Sequence, residues 1–435
     1  MTTSTITQQI LQAVDAHRAA TIDLLADLVR IPSVNRQIDG DELACQHVVA
    51  ERMQSLGLEI DVFEPDSIPG ITAHPGWQSG RSYTDRPNVV GVRRGAGQGR
   101  SILFLAHVDV VPEGPHTLWR HGPFNPVVED GALVGRGSND DKGGLAALIM
   151  ALRCVEAAGY RPAGDVILAS VVDEESGGAN GTLATLLRGY SADAAIYCDG
   201  LDLDIHIANL GGGHCRLELQ LRPEVVVAGG AIRAAELLQV FYHDALLFAR
   251  ERTARFRADP RYAATVWPEI AVRVDHLAAG AADGSNPGSA RLDITVYILP
   301  DEEPEQIRTE LTQRLHRLAE RYQSVLLPPT ITWPGRLMPP SATPADHPFV
   351  DEVATAFALA VGKPALRNGM PMSDLFQFNR YSPRPMPTVA LGPGRWAVPG
   401  GAHEPNESIL IDEHLIPMVK ILALVIVAWC GVVPR

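Results

Sequence analysis

An α/β domain built on a mostly parallel sheet flanked by helices, interrupted by an inserted α+β domain, is the fold class this sequence predicts. Three observations predict it. Between about residues 88 and 208, short apolar runs end in polar residues and pass into helical stretches, the pattern of β-α-β units with parallel strands. Within 214–333 the runs 214–222, 270–274 and 292–298 alternate apolar and polar residues, the pattern of a sheet with one wet face. Near residues 386–391 the first pattern returns, so the middle stretch is an insertion.

The first segment, MTTSTITQQILQAVDAHRAATIDLLADLVRIPSV, mixes Asp, His and Arg among its apolar residues. It reads as an amphipathic helix, without the apolar region of a signal peptide. SILFLA (101–106), DVILASVV (165–172) and AAIYC (194–198) are the clearest buried strands. GGLAALIMALRCVEAAG (143–159) has small and apolar residues nearly all round, as expected of a helix packed tightly on a sheet. In HCRLELQLR (214–222), Cys215, Leu217, Leu219 and Leu221 share one face, and His214, Arg216, Glu218, Gln220 and Arg222 the other. A helix over about 230–252, the alternating strands IAVRV (270–274) and LDITVYI (292–298), and TITW (330–333) follow. With the amphipathic helix marked by Ile307, Leu311, Leu315, Leu318 and Tyr322, they give the order β-α-β-β-α-β. The Pro-rich stretch 328–348 is the expected return linker, and MPTVAL (386–391) a further strand. Ile421 to Val433 runs thirteen residues without a charge, short of the ~20 a membrane span needs, and reads as a buried terminal helix. The expected division is 1–208 and 339–435 for the larger domain and 209–338 for the insertion.

Composition narrows the function. A net charge of −14 lacks the Lys/Arg surplus that neutralises phosphates, which argues against nucleic acid as a partner. Five scattered cysteines form neither a disulfide scaffold nor a zinc knuckle, so a reducing cytoplasm is the expected location and no membrane association is expected.

Residues capable of chemistry gather where the predicted parallel strands end, the edge at which open α/β sheets bind ligands. SILFLA runs into His107, with Asp109 two residues on. DVILASVV runs into Asp173, Glu174 and Glu175, and AAIYC into Asp199. Asp140 and Asp141 precede the helix that begins near Gly143, and His403 and Glu404 follow MPTVAL. Taken singly these residues have ordinary readings: Asp140 as a helix N-cap, Glu174 and Glu175 as a solvated loop edge, Asp199 as a strand end, His403 as a loop histidine. Taken together, so many carboxylates would repel one another without a cation. Imidazole and carboxylate donors without thiolates suit Zn²⁺, with Co²⁺ or Mn²⁺ as alternatives, and this many ligands would saturate two ions.

The order of the motifs HVDVVPEG (107–114), GRGSNDDKGG (135–144), VVDEESGG (171–178), YCDG (197–200), GPG (392–394) and AHEPNES (402–408) closely resembles one enzyme family. It is the zinc-dependent amidohydrolase and exopeptidase family of aminoacylase, carboxypeptidase G, acetylornithine deacetylase and succinyl-diaminopimelate desuccinylase. The resemblance spans about residues 20–415 and includes LVRIPSV (28–34) and RPNVVG (86–91). It implies that His107 and Asp199 hold one metal, Glu175 and His403 the other, and that Asp140 bridges both. It implies that Glu174 is the general base and that Asp109 hydrogen-bonds the far nitrogen of His107. The inserted domain would be the family's lid and dimerisation domain, making the chain a homodimer. Substrate contacts are expected at Asn286, Tyr297, Ser373 and Gly392.

The departures lie in the lid. The family's usual lid histidine is missing from LRPEVVVAGGAIRAAE, and Tyr297 stands where many members place an arginine for the substrate carboxylate. The expected activity is hydrolysis of the amide of an N-acyl amino acid or related small compound. The alternatives are a dipeptidase or carboxypeptidase and, from another class, a non-catalytic binding protein; the presence of Glu174 argues against the last. The altered lid points to a substrate whose distal group is aromatic, heterocyclic or neutral.

Overall fold

The computed structural model describes residues 3–227, 233–280 and 288–435. The chain divides into two compact units, Met1–Ile207 with Thr343–Arg435, and Ala208–Ala342.

The first unit is built on a sheet whose strands lie in the order Glu59–Phe63, Asn88–Arg93, Val166–Val171, Ile102–His107, Ala195–Tyr197, Thr388–Ala390 and Ile205–Asn209. The sheet is mixed. Parallel pairing joins the four strands from Val166–Val171 to Thr388–Ala390, and the strands on either side pair antiparallel. Continuous apolar runs mark the parallel strands because both faces are covered. In Ile102–His107, residues Ile102, Phe104 and Ala106 enter one core while Leu103 and Leu105 enter the other. The helix Lys142–Ala157 is buried on almost every side, as its small and apolar composition requires. Its first residue, Lys142, is buried too, whereas Arg153 is exposed. Lys142 donates to the carbonyls of Leu28 and Ile31 at 3.0 and 2.7 Å, tying the start of this helix to the end of the helix Arg18–Val29.

Ile411–Cys430 is helical over 20 residues, long and apolar enough by composition to cross a membrane. It extends past the charge-free run because Asp412, Glu413 and Lys420 point to its rim, where Asp412 pairs with Arg18 and Lys420 with Asp15. Most of it is buried against Lys142–Ala157 and Pro348–Val361, which is the environment of a core helix.

The second unit is a four-stranded antiparallel sheet, ordered Val272–Ala279, Ser289–Ile298, Gly211–Gln220 and Thr330–Thr332. The helices Ala234–Ala258 and Pro304–Glu320 complete the β-α-β-β-α-β order, and the alternation explains the layering. Cys215, Leu217 and Leu219 join Phe241, Phe248 and Leu311 in one core. On the opposite face Arg216 stands across from Asp293, and Glu218 across from Arg291.

Candidate active site

Register explains why distant motifs meet. His107 pairs with Val171 and Leu105 with Tyr197 across parallel strands, so His107, the Asp173–Glu175 segment and Asp199 leave the sheet at one edge. The loop before Lys142–Ala157 brings Asp140, and the loop after Thr388–Ala390 brings His403. Asp140 stands between the two imidazoles: Oδ1 is 2.9 Å from Nε2 of His107, and Oδ2 is 3.3 Å from Nε2 of His403. The same His403 nitrogen lies 3.0 Å from Oε2 of Glu175. Asp140 is not the N-cap of the following helix; Asp141 holds that position, and its Oδ2 accepts the backbone N–H of His107 at 3.3 Å.

The charges are strongly coupled. Burial pushes Asp140 up, but the imidazoles on either side outweigh it and hold its carboxylate well below the usual range. Burial lowers His403, yet Asp140 and Glu175 lift it to about 11. Burial, reinforced by the charge of Asp140, pushes Asp199 up to about 7. Glu174 is raised well above the ordinary range by burial first and then, against the opposing charge of His107, by the charges of Asp374, Asp199 and Glu175. A crowd of carboxylates in this state is what a bound cation would relieve. The donor geometry fits one: ligand atoms of His107, Asp140 and Glu175 all lie within 4.8 Å of one another, with nitrogen and oxygen donors and no thiolate among the three.

Asp109 is placed differently from the expectation. Nδ1 of His107 meets the backbone carbonyl of Asp109 at 2.9 Å, while the Asp109 carboxylate stands 3.6 Å away. That carboxylate is engaged elsewhere, accepting the backbone N–H of Glu174 at 3.2 Å and of Glu175 at 3.1 Å. It therefore ties the His107 strand to the segment carrying both glutamates. Asn35 donates to Asp109 at 2.8 Å and to Asp173 at 3.1 Å. Asp173 has positive φ and is buried between Tyr83, Arg81 and Arg86.

Other supporting residues were not singled out from sequence. Glu407 is fully buried; it accepts the backbone N–H groups of Asn139 and Asp140 at 2.9 and 3.0 Å and pairs with Arg136 at 2.5 Å. It lies within AHEPNES, and an acidic residue four positions after His403 was its only signal.

Of the expected substrate contacts, three lie among the described residues. Gly392 makes a close backbone approach to Gly200, beside Asp199; a Cβ on Gly392 would fall 2.1 Å from the nitrogen of Gly200. Ser373 is buried, its hydroxyl accepting the N–H of Leu375 at 3.3 Å. Tyr297 belongs to the second unit, buried there with its ring 5.9 Å from that of Trp267. Asn286 lies outside the described residues.

Residues 103–428 match the profile of Peptidase family M20/M25/M40. The chain belongs to this family. It is similar to an N-formyl-4-amino-5-aminomethyl-2-methylpyrimidine deformylase of Bacillus subtilis (strain 168), 30% identical over 380 residues, which cover 80% of this chain and 84% of that protein. Among solved structures, human carnosine dipeptidase 1 superposes with a TM-score of 0.70 at 17% identity, over 98% of this chain and 99% of that one. The Bacillus subtilis YXEP protein, a dinuclear metal binding peptidase of the M20 family, superposes with a TM-score of 0.58 at 15% identity, over 95% and 99%. This M20 chain is a metal-dependent hydrolase of amide bonds.

Proposed function

We propose that this M20 hydrolase holds two divalent ions and cleaves a small N-acyl amide whose distal group is aromatic or heterocyclic rather than an α-carboxylate. The observation that carries the two-ion reading is Asp140, with one oxygen toward His107 and the other toward His403. Asp199 would complete the set around His107, and Glu175 the set around His403. The dinuclear site of the YXEP protein supports this count. Nitrogen and oxygen donors favour Zn²⁺ and accommodate Co²⁺ or Mn²⁺.

When bound, the ions supply positive charge that makes an attacking water more acidic and the substrate carbonyl more electrophilic. The protein supplies the proton transfers. Glu174, adjacent to a ligand but not one itself, takes a proton from the water as its oxygen bonds to the carbonyl carbon. The C–N bond then breaks, and Glu174 delivers that proton to the departing nitrogen. Asp109 holds the backbone of Glu174 in place for both transfers.

Two features support the substrate class. The sequence has Tyr297 in place of the family's arginine, which removes a bidentate partner for a carboxylate. The similar Bacillus subtilis protein is a deformylase of an aminopyrimidine. We further propose a cytoplasmic homodimer formed through the second unit, for which sedimentation at micromolar concentration is the measurement. A panel of N-formyl, N-acetyl, N-succinyl, N-carbamoyl and dipeptide substrates, run with added Zn²⁺, Mn²⁺ and Co²⁺, tests the activity. The substrate proposal fails if simple N-acetyl-α-amino acids exceed a kcat/KM of ~10⁴ M⁻¹s⁻¹, the low end of ordinary enzymes, and Tyr297→Phe changes nothing.

A further inference from the structure

The loop that carries His403 also carries an indole that the proton transfers do not use. Trp396 is 42% exposed, although its backbone neighbour is fixed. The side-chain amide of Asn139 donates to the carbonyl of Arg395 at 3.1 Å, and the N–H of Arg395 donates back to Asn139 at 2.8 Å. These two hydrogen bonds fasten the residue before Trp396 to the residue before Asp140. The carbonyl of Arg395 also accepts from the N–H of Ala402 at 2.8 Å, closing the loop one residue before His403. The backbone that carries the indole is thus anchored beside the site. Its ring centroid is 5.1 Å from that of His403, edge to face, with the planes at 75°.

A large exposed aromatic group on an anchored loop beside a charged centre invites a ligand contact, because covering it removes apolar area from water. Val398 on the same loop is exposed as well, as is Leu118, whose carbonyl accepts from Asn406. Because the indole lies against His403, an amide held at the ions that His403 would help to bind has the indole beside it. Trp396 makes no other ring contact among the described residues.

We infer that Trp396 is a specificity-determining residue whose indole receives the planar aromatic or heteroaromatic part of the amide substrate. The inference rests on the proposed hydrolysis at Glu174 and gives its substrate preference a location.

A matched pair of formamides tests it: N-formylbenzylamine, with a planar ring, against N-formylcyclohexylmethylamine, of similar size without one. For the metal-replete wild type, kcat/KM should favour the benzyl compound. In Trp396→Ala that preference should fall about tenfold, the loss residing in KM, while Trp396→Phe keeps most of it. A loss shared equally by both formamides, or one confined to kcat, would show that the indole only buttresses His403 and overturns the inference. Wild type that cleaves both equally overturns it as well, leaving the hydrolase reading standing. Wild type inactive on every amide in the wider panel overturns the hydrolase reading and this inference together.

Discussion

The carboxylate of Glu407 accepts the backbone N–H of Asp140 at 3.0 Å, across 267 residues of sequence. Asp140 is the residue whose two oxygens address two imidazoles, so its orientation depends on a buried charge far along the chain. Glu407 uses one oxygen for the N–H groups of Asn139 and Asp140 and the other for Arg136; Gln keeps only one acceptor oxygen, so it cannot serve both, and Arg136 is left buried beside a neutral amide. Breaking one side of a buried ion pair costs about 3 kcal/mol or more, and loss of a residue that orients a ligand weakens metal binding by about 10–100-fold. Glu407→Gln should therefore melt earlier and bind divalent ions more weakly than wild type. Unchanged ion affinity in the folded variant would rule out the orienting role.

Glu174 and Glu175 are adjacent, yet the site gives them different partners. Glu175 contacts His403 at 3.0 Å, whereas Glu174 is held through its backbone, its N–H donating to Asp109 at 3.2 Å and its carbonyl accepting from Gly178 at 2.7 Å. Elemental analysis should find two divalent ions per chain in wild type and in Glu174→Gln, whose kcat should nonetheless fall by at least ~100-fold. Glu175→Gln should lose one ion. Near wild-type turnover in Glu174→Gln would place the base elsewhere, and saturation at one ion would exclude the paired site.

Much of this arrangement was legible because period and position are local signals. Ile102–His107 and Lys142–Ala157 follow directly from continuous apolar composition, and the alternation of 214–222 predicts which residues enter the core of the second unit. The ends of the parallel strands then bring His107 and Glu175 together, and the loop before Lys142–Ala157 adds Asp140. Pairing direction was less legible: the strands flanking the parallel centre are antiparallel, and apolar runs carry no mark of their neighbours' direction. Sequence also does not specify which atom of a residue makes a contact. Asp109 meets His107 through its backbone carbonyl because its carboxylate is occupied by the amides of Glu174 and Glu175. Gln377, buried against the carbonyls of Gly178 and Ala179, had no sequence signal at all.

Gly392 and Gly200 define a contact that only hydrogen-sized side chains permit. A Cβ on Gly392 would lie 2.1 Å from the nitrogen of Gly200 and 2.7 Å from the carbonyl oxygen of Cys198, both backbone atoms that cannot turn aside. Gly392→Ala should therefore destabilise the first unit by about 1–3 kcal/mol and displace Asp199, lowering ion affinity. Gly97→Ala is the control, since its nearest contact is 3.4 Å. Equal melting temperatures for the two variants would contradict the close approach.

The second unit carries a separate electrostatic test, remote in sequence from the ligand motifs. Asp293 accepts from Arg291 at 2.9 Å and from Arg216 at 3.0 Å on the polar face of the sheet. The Arg291 hydrogen bond, partly opposed by burial and then reinforced by Arg216, holds the Asp293 carboxyl at about 2, below its ordinary value of 3.8. A lowered carboxyl pKa means that the unfolded chain binds the proton more readily than the folded one. The stabilisation is thus fully present above about pH 4 and is lost as the pH falls through about 2. After solvent screening of this partly exposed cluster, its magnitude should be about 1 kcal/mol. Urea unfolding of wild type and Asp293→Asn should accordingly show wild type more stable by a near-constant margin from pH 7 to 5, narrowing as the pH drops below 4. A margin that is the same at pH 2.5 as at pH 6 would mean that ionised Asp293 contributes nothing through the two arginines.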